Sequence, residues 1–173
     1  MKRIIAAAFA ALLLASLLAG CGKKEAQENA GFDGTMTDLA EKMYENHSAI
    51  DLNPMTNPVD LTDGDMLFYQ TGLSSGDKLS EAVISEAMMG QPYSLVLARV
   101  KDPADAASVA QEMYDNIDQR KWICVEADTK TAGYCRDVVM FFMVGSDFSD
   151  SVTTSSMMDA FRASCTGDVA VIG

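Results

Sequence analysis

Four cysteines and a single histidine bound the side-chain chemistry open to this 173-residue chain. Any Ser-His-Asp or Cys-His nucleophilic centre must pass through His47, and one histidine without closely paired cysteines does not make a usual zinc ligand set. His47 falls near the end of an amphipathic stretch, where a cation also suits the helix dipole. Cys124 and Cys135 are predicted on neighbouring strands. If the turn between them centres on Thr129 and Lys130 they face each other, and a cross-strand disulfide is geometrically open to them. A shift of one residue separates them and leaves small apolar core residues. Cys165 is unpaired either way, and no CxxC spacing supports thiol redox chemistry. Asp60, Asp63 and Asp65 crowd one loop, but counted from Asp60 the turn glycine and the bidentate glutamate of a calcium loop are replaced by Asp65 and Thr71. Helix capping explains these acids better. Eleven methionines beyond Met1, including Met88-Met89, Met140, Met143 and Met157-Met158, carry thioethers that can bind Cu(I). Their places beside Phe and Val on predicted elements fit adaptable core packing instead. Phosphate-binding loops and nucleophile elbows are absent from the sequence, and no metal or cofactor is expected.

The address of the chain is more legible than its chemistry. Met1-Lys2-Arg3 is a basic start, and Ile4 to Leu18 is apolar and uncharged but shorter than the ~20 residues a membrane span needs. Residues 1–20 therefore read as a signal peptide. Leu18-Ala19-Gly20-Cys21 resembles the bacterial lipobox, in which a peptidase cuts before a cysteine whose sulfur carries a diacylglyceryl group. Cys21 is the expected lipidation site and mature N-terminus. Each buried lipid CH₂ contributes ~0.8 kcal/mol, so two or three acyl chains such as palmitate hold a protein stably on a bilayer. The expected location is the outer face of the cytoplasmic membrane, reached through lipid on Cys21. Residues 21–34 are small, polar and charged, and read as a flexible tether.

Removal of Lys2 and Arg3 leaves eleven cationic side chains against twenty-five acidic ones, a formal charge of −14. Nucleic acid and anionic lipid are poor partners for such a domain.

Residues 35–173 carry the periodic elements. Met36, Leu39, Ala40, Met43, Tyr44 and His47 line one face of a helix whose start, Thr35 with Asp38, has capping-box spacing. A second helix is predicted from Thr62 to Gly72. Leu79 to Met89 is open between helix and strand, whereas Tyr93 to Val100 is strand-like. Asp102-Pro103 starts a third helix with Ala106, Val109, Ala110, Met113 and Ile117 inward. Trp122 to Glu126 and Tyr134 to Val144 are predicted as a hairpin joined by Thr129 to Gly133. Met158, Phe161 and Cys165 mark a last helix ended by Gly167.

The order helix, helix, strand, strand, helix, strand, strand, helix resembles that of a family of small Gram-positive bacterial lipoproteins with a domain of unknown function. The resemblance covers about residues 35–163. It is carried by Thr37-Asp38-Leu39-Ala40, Thr71-Gly72-Leu73, Met88-Met89-Gly90, the run from Ser94 to Asp102, and Trp122. It implies a strand over Glu81 to Met88, and it supplies no active site. The expected fold is a single α+β domain, a four-stranded antiparallel sheet with helices packed on one face. The expected function is a non-enzymatic binding or interaction module for an envelope protein or small ligand. Two alternatives stand beside it: a small-ligand-binding accessory lipoprotein of a transporter, and a wall-sugar hydrolase built on paired carboxylates. The expected interaction patch is Tyr93, Tyr134 and Phe148 at strand ends.

Overall fold

The computed structural model describes residues 30–47, 54–87, 90–148 and 150–173. The predicted export segment, Cys21 and most of the tether lie outside them. Among the described residues no helix is long and apolar enough to cross a membrane. In chain order the elements are α1 (Met36–Asn46), β1 (Met55–Pro58), α2 (Gly64–Thr71), β2 (Leu79–Glu86), β3 (Tyr93–Val100), α3 (Ala106–Asn116), β4 (Thr129–Cys135), β5 (Val138–Val144), α4 (Thr154–Ser164) and β6 (Ala170–Ile172). The fold is α+β. All strand pairs are antiparallel, in the order β1-β2-β3-β5-β4-β6.

Three expectations need correction. The sheet has six strands, not four, because two short edges escape sequence patterns. β1 is four residues ending in Asn57-Pro58, a pair that reads as a turn, and proline is admissible on an edge where its missing N–H breaks no ladder. β6 is three residues beyond the last helix. Secondly, helices cover both faces of the sheet. Met36, Leu39 and Met43 of α1 and Met157 and Phe161 of α4 pack with Leu95, Leu97, Met140 and Phe142. Leu67 of α2 and Val109, Ala110 and Met113 of α3 pack with Val96, Ala98, Phe141 and Met143. Every residue of β5 is buried. A strand covered on both faces must be apolar at every position, and this is why Met140-Phe141-Phe142-Met143 is so bulky. Thirdly, the hairpin is displaced: β4 meets β5 through Arg136-Asp137, with Cys135 opposite Val138 and Arg136 at φ 54.

The remaining predicted elements stand close to where their periodicity put them. Thr35 and Asp38 make the capping box of α1, Thr35 Oγ1 accepting from Asp38 N–H and Asp38 Oδ2 from Thr35 N–H. The N-cap of α2 is Asp63, one residue beyond Thr62, and Gly72 ends that helix at φ 72. Leu79–Glu86 is a strand, paired with β1 and β3.

Residues 31–34, expected as the end of a tether, belong to the compact unit Gly31–Gly173. Gly31 N–H donates to Asp137 Oδ1 at 2.6 Å, and Phe32 is buried. Arg99 spans the join. Its guanidinium contacts Asp137 Oδ2 at 2.6 Å and donates to the carbonyls of Phe32 at 3.1 Å and Gly34 at 2.7 Å. One planar fork of donors thus ties β3, the β4–β5 turn and residues 32–34 together.

Candidate functional site

The segment between α3 and β4 holds the most exposed large apolar residue among those described. Residues 119–127 form a compact loop whose neck is closed by two hydrogen bonds: Ala127 N–H to Gln119 O at 2.9 Å, and Gln119 Nε2 to Ala127 O at 2.8 Å. Its root is Lys121. That side chain is only 1% exposed; its Nζ lies 2.6 Å from Glu86 Oε1 at the end of β2 and donates to Ser94 Oγ at 2.9 Å. The ammonium also sits over the rings of Tyr69 and Trp122, 5.8 and 5.3 Å from their centroids, while Tyr69 OH donates to Lys121 O at 3.0 Å. Burial pushes the Lys121 pKa below the usual lysine value, and the Glu86 carboxylate opposes that shift.

From this root the chain turns outward. Cys124 has φ 71, a left-handed conformation that costs a residue with a Cβ about 1–3 kcal/mol and persists only where its surroundings hold it. The turn leaves Ile123 91% exposed, with Val125 and the Cys124 thiol outward as well. Arg120, Trp122, Cys124, Val125 and Glu126 line a shallow hollow of about 350 Å³. Tyr69, bound to the root, is itself about half exposed, and Met66 lies one turn earlier on α2 with similar exposure. An apolar tip on a clamped loop suits contact with an apolar surface; its hydrophobic area is presented without ordering cost at the moment of binding.

The predicted patch of Tyr93, Tyr134 and Phe148 is not there. Tyr93 is fully buried, edge-on to Phe142 at 5.2 Å between centroids. Phe148 packs with the α1–α4 layer and half-buried Tyr134 with the opposite one. Strand-end aromatics would reach solvent only if one face of the sheet were bare. Of the two alternatives open for Cys124 and Cys135, the cross-strand bridge is not the one the structure has. Residues 122–126 form no strand, so no ladder brings the two into register; Cys124 is exposed and Cys135 buried, both as free thiols.

Other polar groups are consumed by structure. Tyr44 OH donates to Ser85 Oγ at 2.5 Å, Thr56 Oγ1 donates to the same oxygen at 3.0 Å, and Tyr93 OH donates to Tyr44 OH at 3.2 Å. Desolvation raises both phenol pKa values, so this chain of hydroxyls stays neutral and joins α1 to three strands. His47 Nε2 lies 2.8 Å from Ser156 Oγ, but that oxygen already serves the capping box of α4, accepting from Thr153 N–H. His47 Nδ1 meets no carboxylate among the described residues, and the arrangement lacks the third member of a nucleophilic triad. Asp60 accepts from Thr62 N–H and Oγ1, and Asp63 caps α2, so the acidic loop is capping. The carboxyls with displaced pKa, Asp38, Asp60 and Asp128, are all lowered by hydrogen bonds from Thr35, Thr62 and Ser146. A general acid for glycoside cleavage needs the opposite shift. No group of three His, Cys, Asp or Glu side chains able to hold a metal occurs among the described residues.

Comparison with family models, curated proteins and solved structures finds no match. The 119–127 loop is therefore the feature on which a functional reading must stand.

Sequence reasoning missed this loop because Trp122-Ile123-Cys124-Val125 has the β-branched and aromatic character of a strand. Glycine, asparagine or aspartate at position 124 would have marked the left-handed turn. The one available signal was Lys121 beside Trp122, a cation followed by an aromatic ring.

Proposed function

We propose that the chain is a lipid-anchored lipoprotein of the outer face of the cytoplasmic membrane, one of the small Gram-positive lipoproteins it resembles, and that it is a non-enzymatic binding module. Its contact element is the 119–127 loop. The observation that carries this reading is the pairing of a 91% exposed Ile123 with a root held by a lysine that is 1% exposed. A large apolar side chain so presented is stabilised by a partner and by nothing within its own domain. The basic start, apolar run and Cys21 support the anchor.

The test is a photo-crosslinker placed at position 123 of the anchored protein in its native membrane, with captured species identified by mass spectrometry. A recurrent envelope protein, lost when Val125→Asp is added while the melting temperature is unchanged, is the expected result. The same capture with and without Val125→Asp would dismiss the loop as the contact. Cys21→Ser should abolish incorporation of labelled palmitate and leave the apolar leader uncleaved, and unchanged labelling would refute the lipid anchor.

A second reading is favoured by the hollow beside Trp122, whose volume lies at the low end for small-molecule sites. The chain has one tryptophan, so a ligand seated there changes the fluorescence of that ring alone. Saturable quenching by a small molecule, with no protein captured, would replace the first reading with this one.

A further inference from the structure

Cys135 and Cys165 lie thirty positions apart in sequence and on different elements, yet the fold brings them together. Cys135 is the last residue of β4 and is fully buried under α1 and α4; Cys165 caps the end of α4 and packs against the same layer. The two thiols are near enough for each to influence the other's ionisation, and Gly31, which accepts from Thr166 N–H, packs against the Cys135 carbonyl. The turn that follows Cys165 folds over Cys135. A Cβ on Gly167, which has φ +147, would stand 3.2 Å from Cys135 Sγ, and Thr166 N–H donates to Gly31 O at 2.7 Å. Backbone contacts from the N-terminal segment therefore hold the Cys165 turn beside β4. Cys124 belongs to the exposed tip of the 119–127 loop and takes no part in this arrangement.

We propose that Cys135 and Cys165 are the disulfide-forming pair of this chain, closed by exchange with a small disulfide once the domain has folded. Cys165, the more exposed of the two, is the point of entry. Its thiolate attacks the incoming disulfide, forming a mixed disulfide and releasing one thiol. The Cys135 thiolate then attacks the Cys165 sulfur and expels the second thiol. Two protein thiols lose two electrons, the small disulfide gains them, and the two protons leave on the released thiols. Burial holds both protein thiols in their protonated form, so exchange is slow near neutrality and accelerates as pH rises. That the bond forms in the cell rests on the export reading; that these two sulfurs form it does not.

The experiment uses the full chain in detergent, treated with oxidised glutathione, alkylated and digested with trypsin without reduction. Cleavage after Lys121, Lys130, Arg136 and Arg162 puts the three cysteines in separate peptides, 122–130, 131–136 and 163–173. The expected product is 131–136 joined to 163–173, forming about tenfold faster for each pH unit between about 7 and 8.5. Cys124→Ser should leave its yield unchanged, and Cys165→Ser should abolish it. Linkage of 122–130 to either other peptide, or recovery of 131–136 and 163–173 unlinked after oxidation, would overturn the pairing. A parallel sample alkylated directly in cells separates the two readings: a bond formed in detergent and missing there counts against export and leaves the pairing intact.

Discussion

Glu86→Gln should destabilise the domain more than Lys121→Met, although the second removes the larger and more deeply buried group. At 2.6 Å the pair attracts by about 6 kcal/mol for an effective dielectric of about 20. Glu86 is 35% exposed, so water screens part of this, and the amide of glutamine still accepts a hydrogen bond. The amine also sets a ceiling on the loss. Shedding its proton at about pH 7, instead of at the usual lysine value of 10.5, costs about 5 kcal/mol at about 1.4 kcal/mol per unit. A loss of about 2–4 kcal/mol is expected for Glu86→Gln. Lys121→Met places an apolar chain of similar length between Tyr69 and Trp122, requires the 35% exposed Glu86 side chain to turn its buried Oε1 outward to reach water, and deprives Ser94 of one partner, a loss of about 1–2 kcal/mol. The pH dependence follows from the lowered folded-state pKa of Lys121. Below that pKa the penalty for burying the cation is present in full. Between it and 10.5 the folded chain binds fewer protons than the unfolded one, so stability rises with pH. Glu86→Gln lowers the folded pKa further and widens this window downward, while Lys121→Met removes the rising contribution and leaves the falling one of the desolvated thiols Cys135 and Cys165. Urea denaturation at a series of pH values from about 7 to 10 measures both effects. An equal or larger loss for Lys121→Met, or stability of Glu86→Gln that falls as pH rises relative to that of Lys121→Met, would refute the electrostatic account of the root.

Gly72→Ala and Gly90→Ala both place a Cβ at positive φ, but only at Gly72 does that Cβ meet the backbone, 2.8 Å from Ile117 N. Losses of about 3 and about 1 kcal/mol are expected in urea, and equal losses would show that left-handed strain alone governs both sites. Arg99→Met removes the fork that binds Asp137 and the carbonyls of Phe32 and Gly34. Hydrogen exchange at the Gly31 amide should accelerate at least about tenfold, since losing a charged hydrogen bond costs about 1.5–3 kcal/mol, and unchanged exchange would show that Asp137 alone holds the join.

What the sequence made legible was periodic or capped. The 3.6-residue spacing of Met36, Leu39, Ala40 and Met43 marked both the helix and its buried face, and Asp102-Pro103 marked a helix start whose inward residues are the expected ones. Layering was less legible, although the information was present: Val138 to Val144 contains no polar residue, and an unbroken apolar strand requires cover on both sides. The β4–β5 hairpin was misplaced because Arg136-Asp137 is neither Asn-Gly nor Asp-Gly, and the apolar run is continuous across it only if two charged residues are set aside. The loop and the cysteine pair were out of reach for a different reason. Cys124 turns left-handed within a loop closed at Gln119 and Ala127 and rooted at Lys121, and the meeting of Cys135 with Cys165 depends on how α4 lies on the sheet. Both are tertiary facts, and beyond Lys121 beside Trp122 they leave no local sequence signature.

The join at Gly31 and the tip at Ile123 lie toward opposite ends of the strands. Asp137, which holds Gly31, is in the β4–β5 turn, whereas Glu86 and Ser94, which hold the root of the loop, are at the other ends of β2 and β3. A pull between these two points runs along the strands and across their hydrogen bonds. β3 and β5 then resist in shear, with the seven register pairs from Tyr93–Val144 to Arg99–Val138 loaded together rather than broken one after another. On the proposed anchoring and contact, the domain would serve as a stiff strut from Gly31 to Ile123, loaded along its strands.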